Sequence, residues 1–180
     1  MERRFRAGLV EAELRAALID FERDGYIVFK GAASERDLDR FEAAISKAFK
    51  EGHRDLIAQL PGSGQPTRVT DRMDRANVRI VDSFAVMPES LDLFSSPQLK
   101  QFMQAILDDQ PMLFQSISFH VGSQQGLHQD TAYIVVDRPM ELAACWIALE
   151  DVVPGSGELQ YMVGSHRLPE IGRASCRERV

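Results

Sequence analysis

Cysteine and long apolar runs are scarce in this sequence, and each shortage excludes a class of protein. The two cysteines, Cys145 and Cys176, are too few for the disulfide framework of a small secreted domain. No apolar run approaches the roughly 20 residues that a membrane-spanning helix needs. The first residues, Met1 to Arg6, lack the apolar segment of a secretory signal. We therefore expect a cytoplasmic protein with no membrane partner.

Positive charge is also in short supply. The 21 Lys and Arg residues are outnumbered by 27 Asp and Glu residues, which gives a formal net charge of −6. Such a chain has no general electrostatic attraction for nucleic acid, so we expect no nucleic-acid partner. Its 180 residues and 44% hydrophobic content are typical of one globular domain. The composition leaves the oligomeric state open.

The last ten residues differ in character from the rest. Ile171 to Val180 are basic and without periodicity, and they resemble the translation of a sequencing-library adapter read through in frame. We therefore assign residues 1–170 to the N-terminal and central part of a single domain. Residues 171–180 are expected to be non-native, with the natural protein continuing past this point. A genuine basic tail is the alternative.

The first half of the chain is dominated by helical periodicity. Amphipathic helices are predicted from Glu11 to Arg23, from Ser34 to Gly52 and from Ser96 to Asp108. The second helix starts with a variant of the capping box and the third with proline at its first position. Short strands are predicted at Tyr26–Phe29 and Asn77–Phe84, with a loop at residues 61–67.

After Pro111 the apolar residues alternate with a period of two. Strands are predicted at Met112–Val121, Thr131–Val136, Met140–Leu149 and Glu158–Met162. Turn-forming residues separate them at 122–126, 137–139 and 154–157. Helices followed by a run of short strands indicate an α+β chain whose second half is a sheet, sandwich or barrel.

His128 and Asp130 stand where the second of these strands begins. Residues two apart on a strand project from the same face, so the two side chains are expected side by side. An ionised Asp on an apolar face is costly unless it is paired or bound to a metal. With a second histidine, the pair would complete the two-histidine, one-carboxylate triad of non-haem Fe(II). An exposed turn or a simple hydrogen-bonded pair is the alternative.

Two further polar side chains lie on predicted strands. Gln115 shares a strand face with apolar residues. It is either a core amide satisfied by the backbone or a polar group placed in a barrel interior to bind a small acid. Trp146 is the single tryptophan, and its indole N–H needs a partner if the ring is buried.

Three other histidines could supply the third metal ligand. His53 lies in charged sequence and is predicted to be solvated, and His120 is predicted at the surface or rim. His166 follows the last predicted strand on a glycine-containing turn. It is the strongest of the three candidates on position alone.

Several ordered blocks between residues 10 and 169 carry a family resemblance. They are Asp24–Ala32, Gln115–Ser116, Gly122–Thr131, Trp146–Val152, Gly157–Met162 and Gly164–Arg167. Together they resemble the phytanoyl-CoA dioxygenase family of Fe(II)- and 2-oxoglutarate-dependent oxygenases. The resemblance implies a double-stranded β-helix (a cupin-like jelly roll) with flanking N-terminal helices, incomplete at the C-terminus. Val163 departs from the family pattern, which commonly has proline before the Gly-Ser-His sequence.

The resemblance also implies roles for individual residues. His128 and Asp130 would be iron ligands, and Gln115 and Trp146 would line the 2-oxoglutarate or substrate pocket. The block that contains His166 precedes the family's distal histidine, so His166 is not expected to bind iron. The distal histidine and the arginine that pairs with 2-oxoglutarate are expected beyond the supplied chain.

The implied function is oxidation of a small or medium-sized metabolite by dioxygen. The carboxylate of Asp130 favours hydroxylation over halogenation, because related halogenases carry a small residue at this position. The chain by itself is expected to be inactive and to bind iron weakly. A non-catalytic, cupin-like protein that binds a ligand or a metal is the alternative function.

Overall fold

A computed structural model of the chain describes residues 12–60, 65–121, 125–134 and 141–169. These residues form α-helices and a short antiparallel sheet, which confirms the α+β class. The helices are α1 (Ala12–Asp24), α2 (Glu35–Glu51), α3 (Pro88–Phe94) and α4 (Pro97–Leu107). The strands are β1 (Ile57–Gln59), β2 (Pro66–Arg68), β3 (Arg79–Val81) and β4 (Ile117–Phe119).

Local capping signals explain where the predicted helices begin and end. The Ser34 hydroxyl accepts a hydrogen bond from the Asp37 backbone N–H at 3.1 Å and donates to the Asp37 carboxylate at 2.7 Å. Gly52, with φ of 77°, ends α2. Pro97 opens α4 at a position whose missing N–H costs nothing. All three predicted helices are confirmed, whereas α3 was not predicted.

The sheet has the strand order β2-β1-β3-β4, and all neighbours are antiparallel. Ala58 in β1 pairs with Thr67 on one side and with Ile80 of β3 on the other, and Ile80 pairs with Ser118. Helix α2 contributes to the same core as the sheet. The buried residues of this main core are Phe41, Ile45, Ala48, Phe49, Leu56, Ala58, Val69, Val78, Ile80, Met87 and Leu93.

A second, smaller core joins α1 to α4. Leu18 is fully buried there, and the Phe102 ring makes edge-on contacts with Phe21 and Phe29 at centroid distances of 5.4 and 5.0 Å. The prediction of a strand at Tyr26–Phe29 is wrong, because this segment makes no ladder in the described residues. Ile27 and Phe29 of this segment instead pack against the α1–α4 core, whereas Val28 is exposed.

Most of the strands predicted for the second half of the chain are shorter than predicted or absent in the described residues. Only Ile117–Phe119 of the predicted strand at Met112–Val121 is a strand. Asp130–Ala132 is a 3-10 turn, and no strand forms at residues 133–134, 141–149 or 158–162. Of Asn77–Phe84, only Arg79–Val81 is a strand. Alternation indicates an extended segment, but a ladder needs a partner that the pattern does not specify.

The double-stranded β-helix is therefore not present in the described residues, which contain one four-stranded sheet. The turn predicted at residues 154–157 is confirmed, with positive φ at Gly155 and Gly157. Predictions for residues 1–11, 61–64, 122–124, 135–140 and 170–180 lie outside the described residues. Residues 66–67 of the predicted loop belong to β2.

Large apolar side chains stay exposed along the second half. The most exposed are Met112, Leu127, Val163, Met162 and Val153, between 57% and 79% accessible. Ile147 and Leu149 are exceptions, because they pack against the main core. None of the described helices is long and apolar enough to cross a membrane.

Candidate metal site

His128 and Asp130 lie together on a tight turn. His128 Nε2 is 3.3 Å from Asp130 Oδ1. Asp130 opens the 3-10 turn Asp130–Ala132, and its carbonyl accepts hydrogen bonds from the N–H groups of Tyr133 and Ile134 at 2.9 Å. The predicted proximity is therefore present in the structure, but a turn produces it and strand alternation does not.

The His128 ring is oriented by two neighbours. Nδ1 lies 2.7 Å from the carbonyl oxygen of Gly126, and the ring meets Tyr133 edge-on with centroids 5.2 Å apart. A carbonyl oxygen can only accept, so Nδ1 carries the proton in this contact. This leaves Nε2 as the nitrogen that faces Asp130, which is the arrangement that metal-binding histidines commonly have.

The donor pair fits a single divalent cation. Adjacent ligands of an octahedral ion with bonds of about 2.1 Å are about 3 Å apart, close to the observed 3.3 Å. The side chains of His128 and Asp130 are 25% and 49% accessible, so solvent reaches both. In the ranges that the structure describes, no group of three or more His, Cys, Asp or Glu residues could hold a metal ion.

Tyr161 and Pro169 approach this turn from the end of the described chain. Partial burial raises the pKa of the Tyr161 phenol, and the negative charge of Asp130 adds to the effect. Gln129, between the two candidate ligands, donates through Nε2 to the carbonyl oxygen of Pro169 at 3.2 Å. Sequence analysis did not single out Tyr161, because its role depends on a contact with residues far away along the chain.

Gln115 and Trp146 are not part of this cluster. Both side chains are exposed, so Gln115 is not the buried amide that the apolar stripe predicted. Neither side chain makes a hydrogen bond or ring contact with His128 or Asp130 in the described part of the chain. Gln115 lies directly before Ser116, whose backbone pairs with Asp82 at 2.8 and 2.9 Å.

The other histidines have distinct environments. His166 turns towards α1, where its Nε2 is 3.1 Å from the carbonyl oxygen of Glu22. His53 is partly buried and accepts the Leu56 N–H through Nδ1 at 3.0 Å, so its side chain is less solvated than predicted. His120 is exposed, as predicted.

Comparisons with known proteins point to one family. The family model described as Phytanoyl-CoA dioxygenase (PhyH) matches residues 21–178. The mouse (Mus musculus) protein named "Phytanoyl-CoA dioxygenase, peroxisomal" is 24% identical over 160 residues, covering 82% of this chain and 46% of the mouse protein. The chain thus spans about half the length of the curated relative that it matches. No solved structure gives a significant match.

Proposed function

The chain belongs to the phytanoyl-CoA dioxygenase family, and from that membership we propose that it forms part of an Fe(II)- and 2-oxoglutarate-dependent dioxygenase. The observation that carries the proposal is the pair of His128 Nε2 and Asp130 Oδ1, 3.3 Å apart within a family match of 158 residues, 21 to 178. The non-haem iron triad consists of two histidines and one carboxylate, so a histidine and a carboxylate held this close would supply two of its three ligands.

His128 and Asp130 would hold the iron. The Gly126 carbonyl keeps the proton on Nδ1, so that the Nε2 lone pair stays available for the metal. Tyr133 limits rotation of the ring by its edge-on contact. When bound, Fe(II) and 2-oxoglutarate supply the activation of dioxygen that oxidises a C–H bond.

Gln115 and Trp146 are proposed to bind the cofactor. The Gln115 amide can donate two hydrogen bonds and the Trp146 indole one, which suits the carboxylates of 2-oxoglutarate. Both side chains are exposed, and therefore free to meet a ligand or further parts of the protein. The distal histidine, the arginine for 2-oxoglutarate and the remaining strands of a double-stranded β-helix are proposed to lie beyond residue 170.

The substrate is proposed to be a small or medium-sized metabolite, with dioxygen as co-substrate and the cytoplasm as location. Hydroxylation is favoured over halogenation because Asp130 occupies the ligand position with a carboxylate. Residues 1–170 are proposed as one part of the oxygenase domain and residues 171–180 as non-native. Sequencing of the natural gene tests this division, because intact codons for Ile171–Val180 would contradict it.

Succinate release tests the proposed function. The natural full-length protein that contains this sequence is incubated with 2-oxoglutarate, Fe(II), ascorbate and a panel of metabolites, and succinate is measured. We expect Fe(II)-dependent succinate that falls by at least about 100-fold in Asp130→Ala, more than the loss of a supporting residue causes. The exposed carboxylate Asp39 of α2 provides the control, because Asp39→Ala should retain full activity.

Two outcomes would contradict the proposal. The absence of succinate with every substrate, together with unchanged iron content in Asp130→Ala, would exclude a dioxygenase. Iron binding that depends on Asp130 but never yields succinate would favour the non-catalytic, cupin-like metal-binding protein instead.

A further inference from the structure

Residues 161–169 lie across the C-terminal end of α1. The Gly164 N–H donates to the carbonyl oxygen of Asp24 at 2.8 Å. Two neighbouring side chains of the same segment contact the carbonyl oxygen of Glu22. The Arg167 guanidinium donates to it at 2.9 Å, and His166 Nε2 lies 3.1 Å from it. Two segments about 140 residues apart in sequence are thereby joined through a helix end.

Helix chemistry explains why these residues meet. The last four carbonyls of an α-helix have no partner within the helix, and they carry the negative end of its dipole. Glu22 and Asp24 belong to this last turn of α1. Arginine and histidine side chains can donate to such carbonyls, so Arg167 and His166 act as a C-terminal cap supplied from elsewhere in the chain.

Gly25 is required for this contact. Its φ is +84°, and a Cβ atom added there would lie 2.2 Å from Nδ1 of His166 and 2.8 Å from Cγ of the same ring. A side chain at residue 25 would therefore have to displace the His166 ring, which contacts the Glu22 carbonyl. Gly25 and His166 therefore fit each other as a matched pair, although sequence periodicity relates neither to the other.

The same segment reaches the candidate metal site. The Tyr161 ring stacks on Tyr26, with centroids 5.4 Å apart and planes 7° from parallel. At the far end of the segment, the Pro169 carbonyl accepts the hydrogen bond from Gln129. Gln129 separates His128 from Asp130, so this hydrogen bond restrains the backbone that carries both candidate ligands.

We propose that Tyr161–Pro169 is a positioning clamp, which is anchored on the end of α1 by His166 and Arg167 and holds the His128–Asp130 turn through Gln129. His166 is a positioning residue in this arrangement and not the third metal ligand. This proposal rests on the proposed function in one respect, which is that His128 and Asp130 are taken to be metal ligands.

Amide hydrogen exchange tests the clamp without any metal. Gly25→Ala should displace the His166 ring and speed exchange in residues 125–134 by at least about tenfold, while exchange in α2 stays unchanged. Gly31→Ala is the matched control, because Gly31 also has positive φ, +68°, but a Cβ there would meet nothing within 4 Å. It should leave residues 125–134 as they are in the parent protein.

The His166 variants give a second, independent comparison. His166→Ala should speed exchange in residues 125–134 as Gly25→Ala does, and His166→Gln should restore protection because its amide can donate to the Glu22 carbonyl. His120→Ala, at an exposed histidine, should have no effect. In the double variant, loss of the ring removes the clash, so Gly25→Ala should add little to the effect of His166→Ala on exchange in residues 125–134, although the positive φ still strains the end of α1.

Two results would overturn the clamp. Unchanged exchange in residues 125–134 in both Gly25→Ala and His166→Ala would show that the turn is not held by this segment. Equal acceleration in α2 and in the turn would show a general stabilising role and no specific positioning.

Fe(II) titration of the same samples separates the clamp from the proposed function. If the parent, prepared as the natural full-length protein, binds no Fe(II), the proposed function fails, while the exchange data still decide whether the clamp exists. If His166→Ala abolishes Fe(II) binding and Gly25→Ala changes neither exchange nor binding, His166 is a metal ligand and the clamp is wrong.

Discussion

Glu42 and Arg75 form an ion pair in which the guanidinium donates to both carboxylate oxygens. The distance is 2.6 Å for the Oε2–NH2 pair, and the Arg75 side chain is only 18% accessible. The pair joins α2 to the 3-10 turn Arg75–Asn77. Hydrogen bonds from Arg75, followed by that from Ser46, lower the pKa of Glu42 despite its partial burial.

This shift predicts a pH dependence of stability. A carboxyl group whose pKa is lower in the folded protein stabilises it fully above the unfolded value, ordinarily about 4.5, and loses that contribution as pH falls through the lowered pKa. Glu42→Gln should cost about 1 kcal/mol at pH 7, since half of the Glu42 side chain is exposed, and the cost should shrink at pH 3.

Urea unfolding at both pH values measures this effect. Asp39→Asn, at an exposed carboxylate inside the same helix, serves as the control and should leave the free energy of unfolding nearly unchanged at both pH values. An equal cost of Glu42→Gln at pH 3 and pH 7 would show that the pair does not act through ionisation.

The candidate ligands illustrate what single residues reveal in sequence. The proximity of His128 and Asp130 was predictable, because side chains two residues apart can meet both on a strand and on a turn. The hydrogen bond from His128 to Gly126 and the role of Gly25 were not predictable. Both depend on the path of the backbone and on contacts with distant residues, which no local pattern records.

At the scale of elements, the helices were predictable because their signals are local. Ser34 and Asp37 exchange two hydrogen bonds within one turn, and Pro97 directly follows the N-cap Ser96. The strands were not, because an alternating segment becomes a strand only when a partner pairs with it. Ile117–Phe119 pairs with β3, whereas the remainder of Met112–Val121 pairs with no strand among the described residues.

The cap of α2 supports a prediction with an internal control. Ser34→Ala removes the acceptor for the Asp37 N–H and should lower the free energy of unfolding by about 1 kcal/mol. Ser34→Gly should cost only a few tenths of a kcal/mol, since glycine is tolerated at this position. Thermal or urea unfolding measures both values. A larger loss for glycine than for alanine would contradict the role of Ser34 as an N-cap.

For the whole molecule, apolar burial is uneven along the chain. Residues 41–93 supply the main core, whereas many large apolar side chains after Pro111 remain exposed. The period-two pattern of the second half predicted burial on one face, and in the described residues only a few of these side chains are covered. Such exposed apolar surface is typical of regions that bind another surface.

Substitution of two phenylalanines tests this difference in burial between the two halves of the chain. Phe41 is 1% accessible in the main core and Phe114 is 47% accessible. Phe41→Ala should lower the free energy of unfolding by about 3–5 kcal/mol through lost burial and a cavity. Phe114→Ala should change it by at most about 0.5 kcal/mol. Equal costs in urea unfolding would show that the second half contributes to the same cooperative core.

Anaerobic equilibrium titration with Fe(II) tests most directly whether His128 and Asp130 form an iron site. We predict weak binding of one Fe(II) per chain, because the described residues bring only two ligands together. His128→Ala and Asp130→Ala should each weaken it by at least about 100-fold, a larger loss than for supporting residues, and Asp39→Ala should not change it. Fe(II) binding that is unaffected by both His128→Ala and Asp130→Ala would contradict the site.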